Sequence, residues 1–170
     1  MKKLAILALL ALELAVVGCG SSSTSTTTTT TSASGNWETQ LTGGTGEARL
    51  LNFVTAFKVT NSGPLDITGF SFLNAGACFV SGATQTGSAT LATDSTNAVT
   101  GTLSYSVQSG TPGGNTLTLN GNVTGTSSSS ALTGGAVTGT WTLSGGAGDP
   151  TCTGTGNFTM CQNGTTCGTT

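Results

Sequence analysis

From Asn36 onward the chain alternates apolar and polar residues in short runs, and the breaks between runs are rich in Gly, Asn, Asp and Ser. A period of two is what a strand with one buried face produces, and the breaks carry turn chemistry. Trp37, Thr39 and Leu41 mark a first strand; Leu51, Phe53, Phe57 and Val59, all of one parity, mark a second. Ile67–Phe72 and Cys78–Val80 predict a third and a fourth, preceded by a turn at Asn61-Ser62-Gly63-Pro64. The later runs are Ser88–Ala92; Val99, Leu103, Tyr105 and Val107; Leu117, Leu119 and Val123; Val137, Trp141 and Leu143; and Phe158 with Met160. Short connections predict an antiparallel up-and-down meander of about eight strands without helices. A sheet of that size tends to close or fold over, because open edges invite pairing with other chains. The expectation is therefore all-β, a closed or nearly closed β-barrel, with a β-sandwich as the alternative.

A short echo runs through these strands. Val99-Thr100-Gly101-Thr102, Val123-Thr124-Gly125-Thr126, Val137-Thr138-Gly139-Thr140 and Cys152-Thr153-Gly154-Thr155 share one pattern. In a strand the Val (or Cys) and the Gly face one side and both threonines the other. Gly on the inner face makes room for a bulky neighbour or lets the strand bend sharply.

The N-terminal 35 residues lack this pattern. Lys2-Lys3 precede an apolar stretch from Leu4 to Val17, the charge and hydropathy arrangement of a secretory signal, too short for a spanning helix. Val16-Val17-Gly18-Cys19 resembles the lipobox of bacterial lipoproteins. That resemblance implies cleavage before Cys19, so that residues 1–18 are a signal peptide, and acylation of Cys19 with chains that anchor the protein in a membrane. Gly20 after the Cys points to the outer rather than the inner membrane of the cell envelope. Residues 19–35 then form a lipidated Ser/Thr-rich tether, which has no apolar face with which to offset the entropy of ordering. The β domain is expected over 36–170.

Charge narrows the function classes. Charged residues make up 6% of the chain, against about 25% in typical domains. Beyond residue 18 only Arg49 and Lys58 oppose Glu38, Glu47, Asp66, Asp94 and Asp149. Two cations cannot neutralise a run of phosphates, so no nucleic-acid partner is expected. Histidine is absent, which removes the usual general base and most zinc and iron sites. The acids are scattered without the spacing of a catalytic carboxylate pair. No enzyme, cofactor or metal is expected, and no catalytic residue is assigned.

Apart from Cys19, four cysteines remain: Cys78, Cys152, Cys161 and Cys167. In an exported domain they read as two disulfides, with three pairings open. Asn163-Gly164 is a tight-turn signal that would bring Cys161 opposite Cys167, leaving Cys78 for Cys152. Gly35-Asn36-Trp37 at the first strand is similar to the Gly-x-Trp that opens lipocalins and avidin-like barrels. The likeness implies that Trp37, and Trp141 with it, plugs an end of a barrel, and it also extends to small Gly/Thr-rich lipoproteins without assigned activity.

Together these readings predict a membrane-anchored envelope lipoprotein with a non-enzymatic β domain. The barrel would hold a small apolar ligand; alternatively, the Thr-rich outer surface would bind envelope polymers or proteins.

Overall fold

The computed structural model describes residues 29–43, 50–79, 82–146 and 151–162. Cys19, the segment 1–18, most of the tether and Cys167 lie outside the described residues. Nine strands follow one another: β1 (Ser32–Thr42), β2 (Asn52–Thr60), β3 (Ser62–Pro64), β4 (Asp66–Asn74), β5 (Ala83–Thr93), β6 (Ala98–Ser109), β7 (Thr116–Ser128), β8 (Ala131–Ser144) and β9 (Gly154–Gln162). They form a single curled sheet in the order β4-β2-β1-β9-β8-β7-β6-β5-β3. Pairing is antiparallel except for one parallel contact between Ser32 and Ala131.

The ends of this ladder, β3 and β4, are neighbours in the chain with only Leu65 between them. The Leu65 amide donates to the carbonyl of Gly87 at 2.9 Å, so the strand is pinned to β5 where it passes from one edge of the sheet to the other.

Three expectations change. The turn read at Asn61-Ser62-Gly63-Pro64 contains a short strand, β3, paired with Ser88–Thr90; Pro64 is compatible because it sits at an edge, where a missing donor costs no ladder bond. The strand expected at Cys78–Val80 is not one: Cys78 and Phe79 lie in a turn. Both side chains are buried, so their hydrophobicity reflects a capping segment rather than a pleat. The first strand also begins before Asn36, because Ser32–Gly35 pair with Phe57–Thr60. Ala33 is buried in the core, and the Thr31 amide donates to the Asn61 side-chain carbonyl at 2.8 Å.

The core lies on the inner face, where residues of one parity from every long strand converge: Trp37, Phe53, Phe57, Leu103, Tyr105, Leu117, Leu119, Trp141, Phe158 and Met160 among them. The repeated motif works as its pattern predicts. Val99, Val123, Val137 and Cys152 are buried, and the threonines that flank each motif glycine are exposed. The motif glycine Gly139 is where strands press together: a Cβ there would stand 2.0 Å from the carbonyl oxygen of Asn120. At Gly156 the vacant space is filled by a ring, since a Cβ would meet Trp141 Nε1 at 2.6 Å. Sharp bends and glycines covered by aromatic neighbours are what a curling sheet requires.

Candidate functional site

The interior is the first place to look for a ligand. Trp37 and Trp141 are 1% and 0% exposed, both within the packed core. Trp37 stacks on Phe57 with ring centroids 5.2 Å apart and planes 8° from parallel. Trp141 donates through Nε1 to the Thr42 carbonyl at 3.1 Å, which fixes its ring beneath the end of β1. Between Trp37, Phe57, Leu103, Val123 and Val137 the remaining cavity measures about 10 Å³. That is the volume a single water needs, far below the several hundred Å³ of a ligand pocket. At this point of the core the tryptophans and their neighbours pack closely against one another.

One polar connection crosses this interior. Thr55 Oγ1 donates to the Gly69 carbonyl at 3.2 Å. Its single proton being used there, it accepts from the Tyr105 hydroxyl at 2.8 Å. The connection joins β6 to β2 and β4, and burial pushes the Tyr105 phenol up to about 12. Only parity pointed to Tyr105 in the sequence, and Thr55, a polar residue on an apolar face, gave no signal of a partner fifty positions away.

The outer face is different in kind. β5, β6, β7, β8 and β9 contain no charged residue. Their register aligns polar side chains into rows across the strands. One row is Thr90, Thr102, Asn122, Thr138 and Thr159; the next is Ser88, Ser104, Asn120, Thr140 and Asn157. Neighbours in a row are about 4.8 Å apart, the strand spacing, and successive rows are about 6.8 Å apart, two residues along a strand. Thr90 and Thr102 share a hydrogen bond at 2.8 Å, and Thr126 and Thr133 one at 3.0 Å. Hydroxyls and carboxamides both donate and accept, so the surface presents a regular neutral hydrogen-bonding array. Its middle sinks into an open saddle of about 480 Å³, walled by Thr90, Thr102, Ser104, Asn120, Asn122 and Thr140, with Gly121 and Gly139 beneath.

The described carboxylates and Lys58 lie outside β5–β9. Glu38 is on β1, Lys58 on β2 and Asp66 at the start of β4. Asp94 lies in the β5–β6 turn, where its Oδ1 accepts from the Thr96 hydroxyl at 2.7 Å and from the amides of Thr96 and Ala98 at 2.8 and 2.9 Å. Those bonds, the Thr96 hydroxyl first, hold its carboxyl below the usual range. It shapes a turn.

Cys78 and Cys152 form a disulfide with Cα atoms 5.5 Å apart, both buried. Asn115 braces it: Nδ2 donates to the Cys78 carbonyl at 2.8 Å, and Oδ1 accepts from the Gly146 amide at 2.7 Å. Cys161 is disulfide-bonded too, and its expected pairing with Cys167 falls outside the described residues. Cys19 does likewise, so the lipid anchor remains a matter of the sequence.

No family model matches the chain, and no curated protein or solved structure matches it either. The geometry defines a class without borrowed activity: an all-β domain of nine strands in one curled sheet, with a packed core, a buried disulfide and a polar outer face that carries no charge over β5–β9.

Proposed function

We propose that the chain is a cell-envelope lipoprotein, tethered to the membrane through acylated Cys19, whose β domain is a non-enzymatic module that binds a neutral polar polymer on its outer face. Closure of the curled sheet into a near-barrel fits this reading, because it hides apolar surface inside and turns the threonine rows outward. The observation that carries it is the set of hydroxyl and carboxamide rows over β5–β9 without a single charge. A neutral polysaccharide offers matching donors and acceptors and no ionic group that would be stranded against this surface. Water-bridged hydrogen bonds spread over such an area can hold a polymer without a deep pocket.

The test is retention of the full chain on insoluble neutral polysaccharide and on peptidoglycan. Binding is expected above a denatured control, and Asn122→Lys with Thr140→Lys should weaken it at least about tenfold, or roughly 1.4 kcal/mol, at an unchanged melting temperature. Equal retention of wild type and variant would sink the proposal. The anchor is tested separately: Cys19→Ser should move the protein out of the membrane fraction without lowering the stability of its fold.

A further inference from the structure

The sheet that presents the polar array has a break on its opposite side. β4 is the last strand of the ladder, and β5 is bonded on its outer edge from Gly87 to Leu91, by β3 and the residues flanking it. Beyond the Leu65–Gly87 pin, therefore, β4 and the start of β5, Ala83–Thr86, face each other without a ladder among the described residues. The seam is an open groove of about 420 Å³ lined by Ile67, Phe70, Phe72, Gly82, Ala83 and Gln85. A row of unpaired amides and carbonyls on a strand edge is a template for another strand.

Edges are normally blunted by charge, proline or bulges. Here the charge and the proline, Asp66 and Pro64, sit at the pinned end. The open end carries neither: among the described residues no ionisable group lines the groove. Two bulges, where Thr68 and Leu73 are the extra residues on β4, bend the strand. They leave Phe70 and Phe72 in register with the inward-facing Thr55 and Phe53. Both rings are only partly buried, although Phe70 lies 5.2 Å from Phe53 and Phe72 lies 5.0 Å from Phe79. They form an apolar floor beside two unpaired edges, and the neutrality of the walls calls for a strand that is neutral too.

We propose that this seam accepts an extended, uncharged peptide strand from a partner protein, which adds to the free edge of β4 and covers Phe70 and Phe72 with apolar side chains at alternate positions. β4 and β5 run antiparallel, so an inserted strand can be antiparallel to only one of them. Among the described residues no strand pairs with the outer edge of β4, and that of β5 lacks a partner over Ala83–Thr86, and antiparallel pairing is the more stable. The partner therefore runs opposite to β4, its N-terminus at the Phe72 end. This site is independent of the polar face, and either can fail alone.

The experiment is amide hydrogen exchange on the full chain with a capped eight-residue peptide that alternates Val with Ser, Thr or Asn, and with its N-methylated counterpart. Exchange of the Ile67–Phe72 and Ala83–Gln85 amides should slow at least about tenfold with the first peptide and not with the second. A nitroxide on the peptide N-terminus should broaden Asn74 more than Leu65. The proposal is overturned by unchanged exchange, by equal protection from the N-methylated peptide, or by seam amides already as protected as those of Leu117–Leu119 without peptide. The last result would mean that the edges are covered by the chain itself or by a second copy.

Discussion

The two sides of this sheet solve the same problem in opposite ways. From β5 to β9 each strand pairs with the next with a single register shift, between Thr124 and Thr126, every strand is at least nine residues long, and at Gly101, Gly121, Gly139 and Gly156 a Cβ would strike backbone. On the β4 side the strand is bulged twice and one edge has no partner among the described residues, and Leu73 leaves 57% of its surface to solvent. The first side is held by register and can present a regular surface. The second is held by what lies beyond it: the segment after β4 carries Phe79 into the core, Cys78 into a disulfide with Cys152, and its backbone to Asn115. A regular polar face needs a rigid wall, and an adaptable edge needs a clamp.

Removing the clamp should have the largest effect. The Cys78–Cys152 bridge spans a sequence separation of 74, so in the chain-entropy picture its loss costs about 4 kcal/mol. Cys78→Ala with Cys152→Ala, measured by urea denaturation, should lose stability of that order. Hydrogen exchange in the variant should accelerate first in β4 and only later in β7 and β8. Uniform acceleration would erase the distinction between the two sides.

Glycine substitutions probe the contrast directly. Gly139→Ala puts a Cβ 2.0 Å from the Asn120 carbonyl oxygen on the wall, an overpacking against backbone that should cost about 3 kcal/mol or more. Gly69→Ala on β4 meets only the Ala56 Cβ at 3.4 Å, so it should stay within about 0.5 kcal/mol of wild type and could gain from the lost flexibility of the unfolded chain. Thermal melts of the two variants suffice. Comparable losses at both sites would show β4 to be as rigid as the wall.

This contrast was only partly legible in the sequence. Alternation and turn residues place the long strands well, because each buries one face and the period of two survives. The Val-Thr-Gly-Thr echo foretells both the inward glycines and the outward threonine rows. It fails where a strand departs from the period: the bulge at Thr68 puts Ile67 on the opposite parity to Phe70 and Phe72, and no local residue announces it. Ser62–Pro64 reads as a turn because its partner, Ser88–Thr90, is distant in the chain. Likewise Cys78-Phe79 reads as a strand because burial alone, without pleating, leaves the same apolar signature. The tryptophans were legible as core residues, but a closed interior and a hollow one share the same alternation. Whether rings or a ligand fill the space depends on how far opposite walls lie apart, which only tertiary packing sets.

The hydrogen-bond chain from Tyr105 through Thr55 to Gly69 joins the two sides through the core, and pH tests how much it matters. The phenol titrates near 12 in the folded state and near 10 when unfolded. Between those values the unfolded chain has lost a proton that the folded one keeps. The stability is therefore fully present below pH 10 and declines as pH rises toward 12, by roughly 2 to 3 kcal/mol. Tyr105→Phe should be about 1 kcal/mol less stable at pH 7, since the Thr55 hydroxyl keeps its bond to Gly69. It should also lack the tyrosine-linked part of the alkaline decline. A parallel decline in wild type and variant would assign the effect to other groups.

The smallest effect is expected where the wall turns at Asp94, and it sharpens the comparison from the rigid side. The three bonds accepted by its carboxylate close the β5–β6 turn without burying it. Since they lower the folded-state pKa, their contribution is present above the unfolded value near 3.9 and is lost as pH falls through the lower folded value. Asp94→Ala should thus lower the melting temperature slightly at pH 7, and the gap should narrow as pH falls below the unfolded value. Faster exchange should be confined to Thr96–Ala98, because the β5–β6 ladder on the far side of the turn is continuous from Thr93–Val99 to Ala83–Ser109. If fraying instead spread along β5 to the seam, the wall would owe its rigidity to its turns rather than to its register, and the tenfold protection expected from a bound strand would have to be measured against an already mobile β5.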